Sequence, residues 1–283
     1  MTAHEIVAKA RKLPDISPAA LSLTQLLNDP ASDFDEVAAV IKTDGLLTAK
    51  LLRACNSSVF GLAERVASVD QALLLLGFDE VRRLALSIAF GNVMAAPLAN
   101  GATEPNPLWQ HSFLAATAGE SIVGLGLYQE VNGSVAFTTG LLHDIGKLIM
   151  AQVITAEAQA VILKHMNAEG LGSVEAEREV LGTDHAEVGA CLLHIWRLPE
   201  NIVEAVANHH RPVLKPAPQL SALAHLANRF AHLSEPGSNA QAYQFQPEEK
   251  IVQAFELNER DSVILIAEIQ RHSERARELQ AIL

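Results

Sequence analysis

The sequence predicts an all-α protein of 283 residues. Apolar residues recur along nearly the whole chain at the three- and four-residue spacing of one helix face. Convincing runs of strict apolar–polar alternation, which would indicate strands, are missing, and clusters of β-branched residues are few. Apolar residues make up 49% of the chain and charged residues only 19%, so it can bury a sizeable core and is not largely disordered.

Residues 1–100 predict a series of short helices that form an N-terminal helical subdomain. The apolar face over residues 21–27 ends at Asp29-Pro30, because proline lacks the N–H that the next helical turn needs. The other helices predicted here cover residues 37–41 behind a Ser32/Asp35 capping box, residues 44–54, residues 70–76 with Gly77 as a left-handed cap, and a stretch from Asp79 onward.

The segment 97–107, rich in proline, glycine and asparagine, predicts a boundary, with a second helical domain over residues 105–283. The longer helices expected there cover residues 108–127, 135–151, 157–169, 174–181 and 186–196. After a polar loop at 234–247, a terminal helix is expected at 261–282. Its apolar face either packs on the body of the protein or contacts a partner.

The charge balance argues against unaided nucleic-acid binding. The net charge is −12 at pH 7 and the isoelectric point is near 5.3, so the surface should repel phosphate backbones. Four basic residues of the first half, namely Lys50, Arg53, Arg82 and Arg83, are interpreted either as solvated helix charges or as a basic face for a partner or nucleotide.

The remaining composition indicates a protein of a reducing compartment. Cys55 and Cys191 cannot form a disulfide framework or a cysteine-rich zinc site. The N-terminus mixes charges of both signs, which is atypical of a signal peptide, and the most apolar later stretch, residues 84–98, is too short to span a bilayer. We therefore expect a cytoplasmic location without membrane contact.

Histidines carry the main functional signal, and most of the 11 lie in the second half. His143 and Asp144 are adjacent within an otherwise apolar segment, where a buried carboxylate needs an ion pair, hydrogen bonds or a metal. The single residues His111 and His185 and the pair His209-His210 also border apolar helices. Taken singly, each fits a helix-end hydrogen bond or a core pair.

Taken jointly, these imidazoles and one carboxylate predict a site for one or two divalent ions of iron, manganese or zinc. Neighbouring residues of a helix diverge by about 100°, so His143 and Asp144 could face different ions of a pair. Two such ions could activate one water, with Asp144 bridging them, and Lys147, one turn beyond His143, could bind a substrate phosphate.

The second half resembles the HD superfamily of metal-dependent phosphohydrolases, which have a helical fold. Its pattern of a histidine, a His-Asp pair and a distal aspartate is matched at the first three positions by His111, His143 and Asp144. HD-GYP proteins, a variant of this superfamily, have additional histidines, and His185, His209 and His210 resemble these. The segment HDIGK occupies residues 143–147.

The whole of residues 5–235 is similar to the HDOD domain. The motifs that carry this resemblance are LP at 13–14, LLNDP at 26–30, IKTD at 41–44, AKLLR at 49–53, NS at 56–57, FG at 60–61, LG at 76–77 and WRLP at 196–199. The resemblance implies a bacterial signalling output that acts through protein contacts or a bound small molecule, since many HDOD modules have lost the metal ligands.

The sequence departs from the hydrolase pattern in three places. Asn228 stands where the distal aspartate is expected, Pro107 stands where HD-GYP members carry a glutamate, and the GYP motif is absent. Amide oxygen is a weaker ligand than carboxylate, although Asp184 or Glu187 could restore an acidic ligand.

Two hypotheses follow. In the first, the chain is a regulatory module with a structural or vestigial metal site, and its partners are signalling proteins or a small phosphorylated ligand. In the second, it is an active phosphohydrolase that acts on a nucleotide or another phosphoester, with Asp144 and Lys147 as catalytic residues. Loss of the distal carboxylate favours the first.

Overall fold

The computed structural model describes residues 1–10, 16–29, 34–94, 107–214, 219–234 and 249–280. Across these residues the protein is helical and contains no strand, which confirms the predicted all-α class. The helices are α1 (Ala3–Lys9), α2 (Pro18–Asn28), α3 (Phe34–Thr43), α4 (Gly45–Cys55), α5 (Val69–Leu76), α6 (Phe78–Met94), α7 (Pro107–Gly124), α8 (Gly133–Leu142), α9 (Ile145–Val153), α10 (Ala156–Ala168), α11 (Ser173–Leu181), α12 (His185–Ile195), α13 (Glu200–Asn208), α14 (Leu220–Ser234), α15 (Glu249–Ala254) and α16 (Glu259–Gln280).

Side-chain caps fix several helix starts in the first half. The Ser17 hydroxyl accepts from the N–H of Ala20 ahead of α2, and the Asp44 carboxylate accepts from two N–H groups at the start of α4. Gly77 follows α5 with φ +80° and ψ 164°. The positive φ favours glycine, as predicted, but the ψ lies outside the left-handed helical region, so the predicted left-handed cap does not form. The Ser32/Asp35 capping box cannot be compared, because Ser32 lies outside the described residues.

One long helix predicted over residues 135–151 is wrong. The chain forms two helices, α8 and α9, and the break falls at His143 and Asp144. Asp144 has φ −101° and ψ 9°, which lies outside the helical region and redirects the chain. Apolar residues run through the break because the end of α8 and the start of α9 are both buried, so the pattern does not reveal it.

The two halves of the chain pack against each other. A single hydrophobic core includes residues from α1 to α6 as well as from α7 to α16, and α8 contacts both α2 and α6. The predicted boundary at residues 97–107 lies almost wholly outside the described residues, so the division at this segment stays a prediction.

Ion pairs link α6 to α7 and to α16. Arg82 is almost fully buried, and its Nη2 donates to Glu120 Oε1 at 2.5 Å. Arg83 Nε lies 2.6 Å from Glu120 Oε2, and Arg275 of α16 lies 2.6 Å from Glu80. Arg82 and Arg83 therefore do not form the solvated or partner-binding basic face considered from sequence, because their charges are paired between helices.

The terminal helix α16 begins two residues earlier than predicted, and its predicted end at residue 282 lies outside the described residues. It packs along α7 and α14 and buries Leu265, Ile269, Ala276 and Leu279, as the packing interpretation of its apolar face expects. In the described part of the chain, none of the helices has the length and apolar character required to cross a bilayer.

Two glycines let α8 and α9 approach their neighbours at backbone distance. A Cβ on Gly140 of α8 would lie 2.6 Å from the Ala115 carbonyl oxygen of α7, and a Cβ on Gly146 of α9 would overlap the His185 carbonyl oxygen of α12. These contacts flank the turn at His143 and Asp144. They hold that turn against the helices that carry His111 and His185.

Gly146→Ala should lower the free energy of unfolding by about 3 kcal/mol, because the overlapping atom belongs to a backbone that cannot rotate aside. Urea denaturation measures this loss. The matched control is Gly45→Ala, where an added Cβ meets nothing within 4 Å, so we expect a change below about 1 kcal/mol. Equal unfolding midpoints for the two variants would contradict the close-approach argument.

Candidate metal centre

The structure brings six of the sequence-predicted site residues into one buried cluster. Their donor atoms form two groups that share Asp144: His185, His209 and His210 with Asp144, and His111 and His143 with Asp144. Within each group the donor atoms all lie within 4.8 Å of one another. A tetrahedral zinc ion with bonds of about 2.0–2.1 Å places its donors a little over 3 Å apart, so the first group needs only small adjustments to hold such an ion.

His143 and His209 are prepared as neutral ligands. The Nδ1 of His143 lies 2.7 Å from the Gly140 carbonyl oxygen and the Nδ1 of His209 lies 2.7 Å from that of Val206, so in each ring Nδ1 carries the proton. Burial lowers the pKa of both rings, that of His209 well below its usual range. Each Nε2 lone pair therefore points into the cluster, and neither Nε2 has a hydrogen-bond partner among the described residues.

The orphaned nitrogens are the observation that fits a cation. His143 Nε2 lies 3.4 Å from Asp144 Oδ2, and His209 Nε2 lies 3.7 Å from Asp144 Oδ1. A buried lone pair that faces a carboxylate oxygen is unfavourable, and a cation between the two would remove the repulsion. Two imidazole nitrogens with a carboxylate oxygen are the donors that zinc, manganese and iron accept.

His185 is held in its protonated form. Burial alone lowers the pKa of this ring, but the adjacent Glu177 carboxylate outweighs burial and raises the pKa to about 9. The Nδ1–H and the backbone N–H of His185 donate to Glu177 Oε2 at 2.7 and 2.8 Å. Its Nε2 lies 3.0 Å from His210 Nε2, which accepts because burial keeps the pKa of His210 well below its usual range.

Asp144 is fully buried, and positively charged groups near it compensate its charge. Burial favours the neutral acid, but the charge of Lys147 and the hydrogen bond from His185 contribute to holding the pKa of Asp144 well below its usual range. Lys147 Nζ donates to Asp144 Oδ2 at 2.6 Å. The predicted phosphate-binding lysine is thus paired with the central carboxylate, although its side chain remains 37% exposed.

His111 is committed to another partner. Its Nε2 lies 2.9 Å from Asn228 Oδ1, compared with 3.7 Å from Asp144 Oδ2. Asn228 of α14 is buried, so the residue in the place of the expected distal aspartate does reach the site. Whichever end of the amide faces the ring, Asn228 is neutral and does not supply the negative charge of the expected aspartate.

The acidic residues proposed as replacements for that aspartate do not enter the cluster. Asp184 Oδ2 and Glu187 Oε1 each lie 2.6 Å from Arg178, and Asp184 also caps α12. Both carboxylates are therefore engaged in a separate ion-pair network.

Three residues near the cluster were missed from the sequence. Glu177 binds His185, His225 Nδ1 lies 2.8 Å from the His209 carbonyl oxygen, and the His232 ring lies 4.4 Å from that of His111. The sequence contains a signal for each. Glu177 lies three residues after Val174 and four before Leu181, hence on an apolar helix face. His225 lies three residues before Asn228 and His232 four residues after it, hence on the same face as Asn228.

Comparison with known proteins identifies relatives of the chain. The family model of the HDOD domain matches residues 13–212. A protein of Treponema pallidum (strain Nichols) is 26% identical over 219 residues, which are 74% of this chain, and the chain spans only 39% of that relative's length.

Solved structures match over nearly the whole chain. An HDOD domain protein of unknown function from Geobacter sulfurreducens has a TM-score of 0.71 at 23% identity and covers 99% of this chain and 97% of its own. A candidate phosphohydrolase from Shewanella amazonensis SB2B has a TM-score of 0.70 at 22% identity, covering 98% and 97%. A candidate signal transduction protein from Marinobacter aquaeolei VT8 has a TM-score of 0.73 at 21% identity, covering 99% and 64%. At these identities the likeness shows the fold alone.

The protonated His185 predicts that metal binding releases protons. With a pKa of about 9, this ring must lose about one proton per bound ion at pH 7, and affinity should rise as the pH approaches 9. Calorimetric titration of zinc in buffers of different ionisation enthalpy counts the protons.

Glu177→Gln removes the charge that holds this proton, so its release should fall towards zero. Glu179→Gln, an exposed change on the same helix, should leave release near one. Equal proton release in the two variants would rule out the assigned role of Glu177.

Proposed function

Because the chain belongs to the HDOD domain family, we propose that it is a regulatory module whose histidine–aspartate cluster holds one divalent metal ion and does not hydrolyse phosphoesters. The carrying observation is the contact between His111 and Asn228, at 2.9 Å. The second donor group, His111, His143 and the shared Asp144, therefore has a neutral amide beside it where a second carboxylate was expected. The first group keeps four donors, the number typical of structural zinc sites.

The charge available for a second ion is also small. Asp144 is the single carboxylate within the two donor groups, and Lys147 already compensates it. Glu177 belongs to neither donor group, and its carboxylate contacts the donor residues only at His185. Two divalent ions would bring four positive charges into a buried site with one carboxylate. This is strongly unfavourable, because moving charge from water into a buried site is costly when opposite charges do not compensate it.

A single ion would act as a crosslink. Asp144 lies before α9, His185 begins α12, and His209 and His210 follow α13. The ion would supply coordination bonds that tie these three helix ends together, and its binding energy would add to the stability of the fold. Signalling proteins are the partners that we propose for such a metal-stabilised module.

Access to the cluster favours the regulatory role as well. His143, His185 and His209 have no exposed surface, and Asp144 is equally buried. A phosphoester would have to displace parts of the helices to reach these atoms. The sharing of Asp144 between two groups nevertheless supports a second candidate function, the phosphohydrolase, because a carboxylate between two ions is suited to hold a pair.

Metal content distinguishes the two functions. Protein purified without chelators or metal-binding tags should carry about one equivalent of iron, manganese or zinc, as measured by elemental analysis. Asn228→Asp restores the expected carboxylate and should raise the content towards two. Asn201→Asp on the exposed surface of α13 adds the same charge elsewhere and should leave it at one.

Activity provides the independent test. The metal-loaded wild type should hydrolyse bis(p-nitrophenyl) phosphate and a panel of nucleotides at the rate of an Asp144→Ala variant, since the second ion is missing. Turnover that Asp144→Ala abolishes, together with two equivalents of metal, would overturn the regulatory proposal and establish the phosphohydrolase.

A further inference from the structure

An open cleft lies beside the cluster, between α9, α10 and α11. Its volume is about 770 Å³, within the range of roughly 300–1,000 Å³ common to small-molecule sites. The walls are mainly apolar and include Met150, Ile154, Leu163 and Met166. Helix α10 packs mainly on α11 and leaves this side open, with Leu163 46% exposed.

One end of the cleft is polar. Lys147 and Glu177 are its charged lining residues, and both also contact the metal-ligand candidates. Glu177 is buried, with its Oε2 taken by His185. Lys147 uses one of its three N–H donors on Asp144 and is 37% exposed. The group that this end offers to a ligand is therefore an ammonium with two further donors.

We propose that this cleft binds an amphipathic organic anion, with its apolar body against Met150, Leu163 and Met166 and its anionic group on Lys147. Methionine side chains suit such a site, because their flexible thioethers adapt to flat or linear apolar bodies. A small molecule is the occupant that fits, since stable protein partners bury about 800 Å² on each side. The cleft lining contains none of the cluster donors, so the proposed site can be tested in protein without metal.

The test uses two fluorescent probes with the same aromatic body. 8-Anilinonaphthalene-1-sulfonate carries an anionic group, and N-phenyl-1-naphthylamine lacks it. Titration of the full chain in EDTA keeps the metal centre out of the measurement. We expect the wild type to bind the sulfonate about tenfold more tightly than the neutral amine, the effect of one charge-assisted hydrogen bond. Dodecyl phosphate should compete better than dodecanol.

Two variants separate the apolar body from the anionic group. Ala160→Trp fills the cleft from its exposed wall and should weaken both probes at least about tenfold. Ala168→Trp, exposed on the same helix but outside the cleft, should change neither by more than about twofold. Lys147→Met should weaken only the sulfonate, and circular dichroism checks that each variant is folded.

Several results would overturn the inference. One is binding of both probes by Ala160→Trp as tightly as by the wild type, and another is equal affinity of the wild type for the two probes. A third is the failure of the wild type to bind either probe, which would leave the cleft as a surface for a macromolecule. The wild-type comparison needs no variant, so a misfolded mutant does not remove the test. A metal content other than one would contradict the proposed function without affecting this result.

Discussion

The close approach of the helices around residues 140–146 is the constraint on which the site depends. Gly140 admits the backbone of α7 and Gly146 admits that of α12, so the short turn between them is clamped on both sides. His143 and Asp144 lie in that turn and acquire their orientation from the clamp. Side chains of any size at the two glycines would push apart the helices that carry His111 and His185.

The close approach of these helices also buries the negative charge of Asp144, which the rest of the cluster has to compensate. Asp144 lies in the buried core, where a carboxylate without a compensating charge would become protonated or would move to the surface. Lys147 and the imidazolium of His185 supply the compensating charges, and Glu177 in turn balances His185. If His185 loses its proton, its Nε2 becomes free to bind a metal ion. The positive charge of the metal then replaces that of the proton beside the Asp144 carboxylate. The charges of the cluster are thus largely balanced without metal, while the Nε2 atoms of His143 and His209, unpartnered within the described part of the chain, still suit a cation.

Sequence alone predicted the helical class and the set of residues that meet in the cluster, since adjacent polar residues in apolar surroundings stand out in any helix. It could not predict the break at His143, because the residues on both sides of it are buried and apolar, so the apolar pattern continues across the helix end. Nor could it predict that Lys147 pairs with Asp144, or that Asn228 takes the Nε2 of His111. Both contacts depend on where helices cross, which one chain's local pattern does not contain.

Lys147 contacts Asp144 and Glu177 contacts His185, and both residues also line the cleft. They therefore connect the two sites physically. An anion in the proposed site would compete with Asp144 for Lys147. A metal ion in the first donor group would lie on the Oδ1 side of Asp144 and would compete with Lys147, on Oδ2, for the charge of the same carboxylate. A bound metal would therefore favour the anion on Lys147, and a bound anion would favour the metal. Thermodynamic linkage requires the two effects to be equal in size. Through Lys147, the occupancy of a buried metal site would thus be coupled to ligand binding at the surface, as the proposed regulatory role requires.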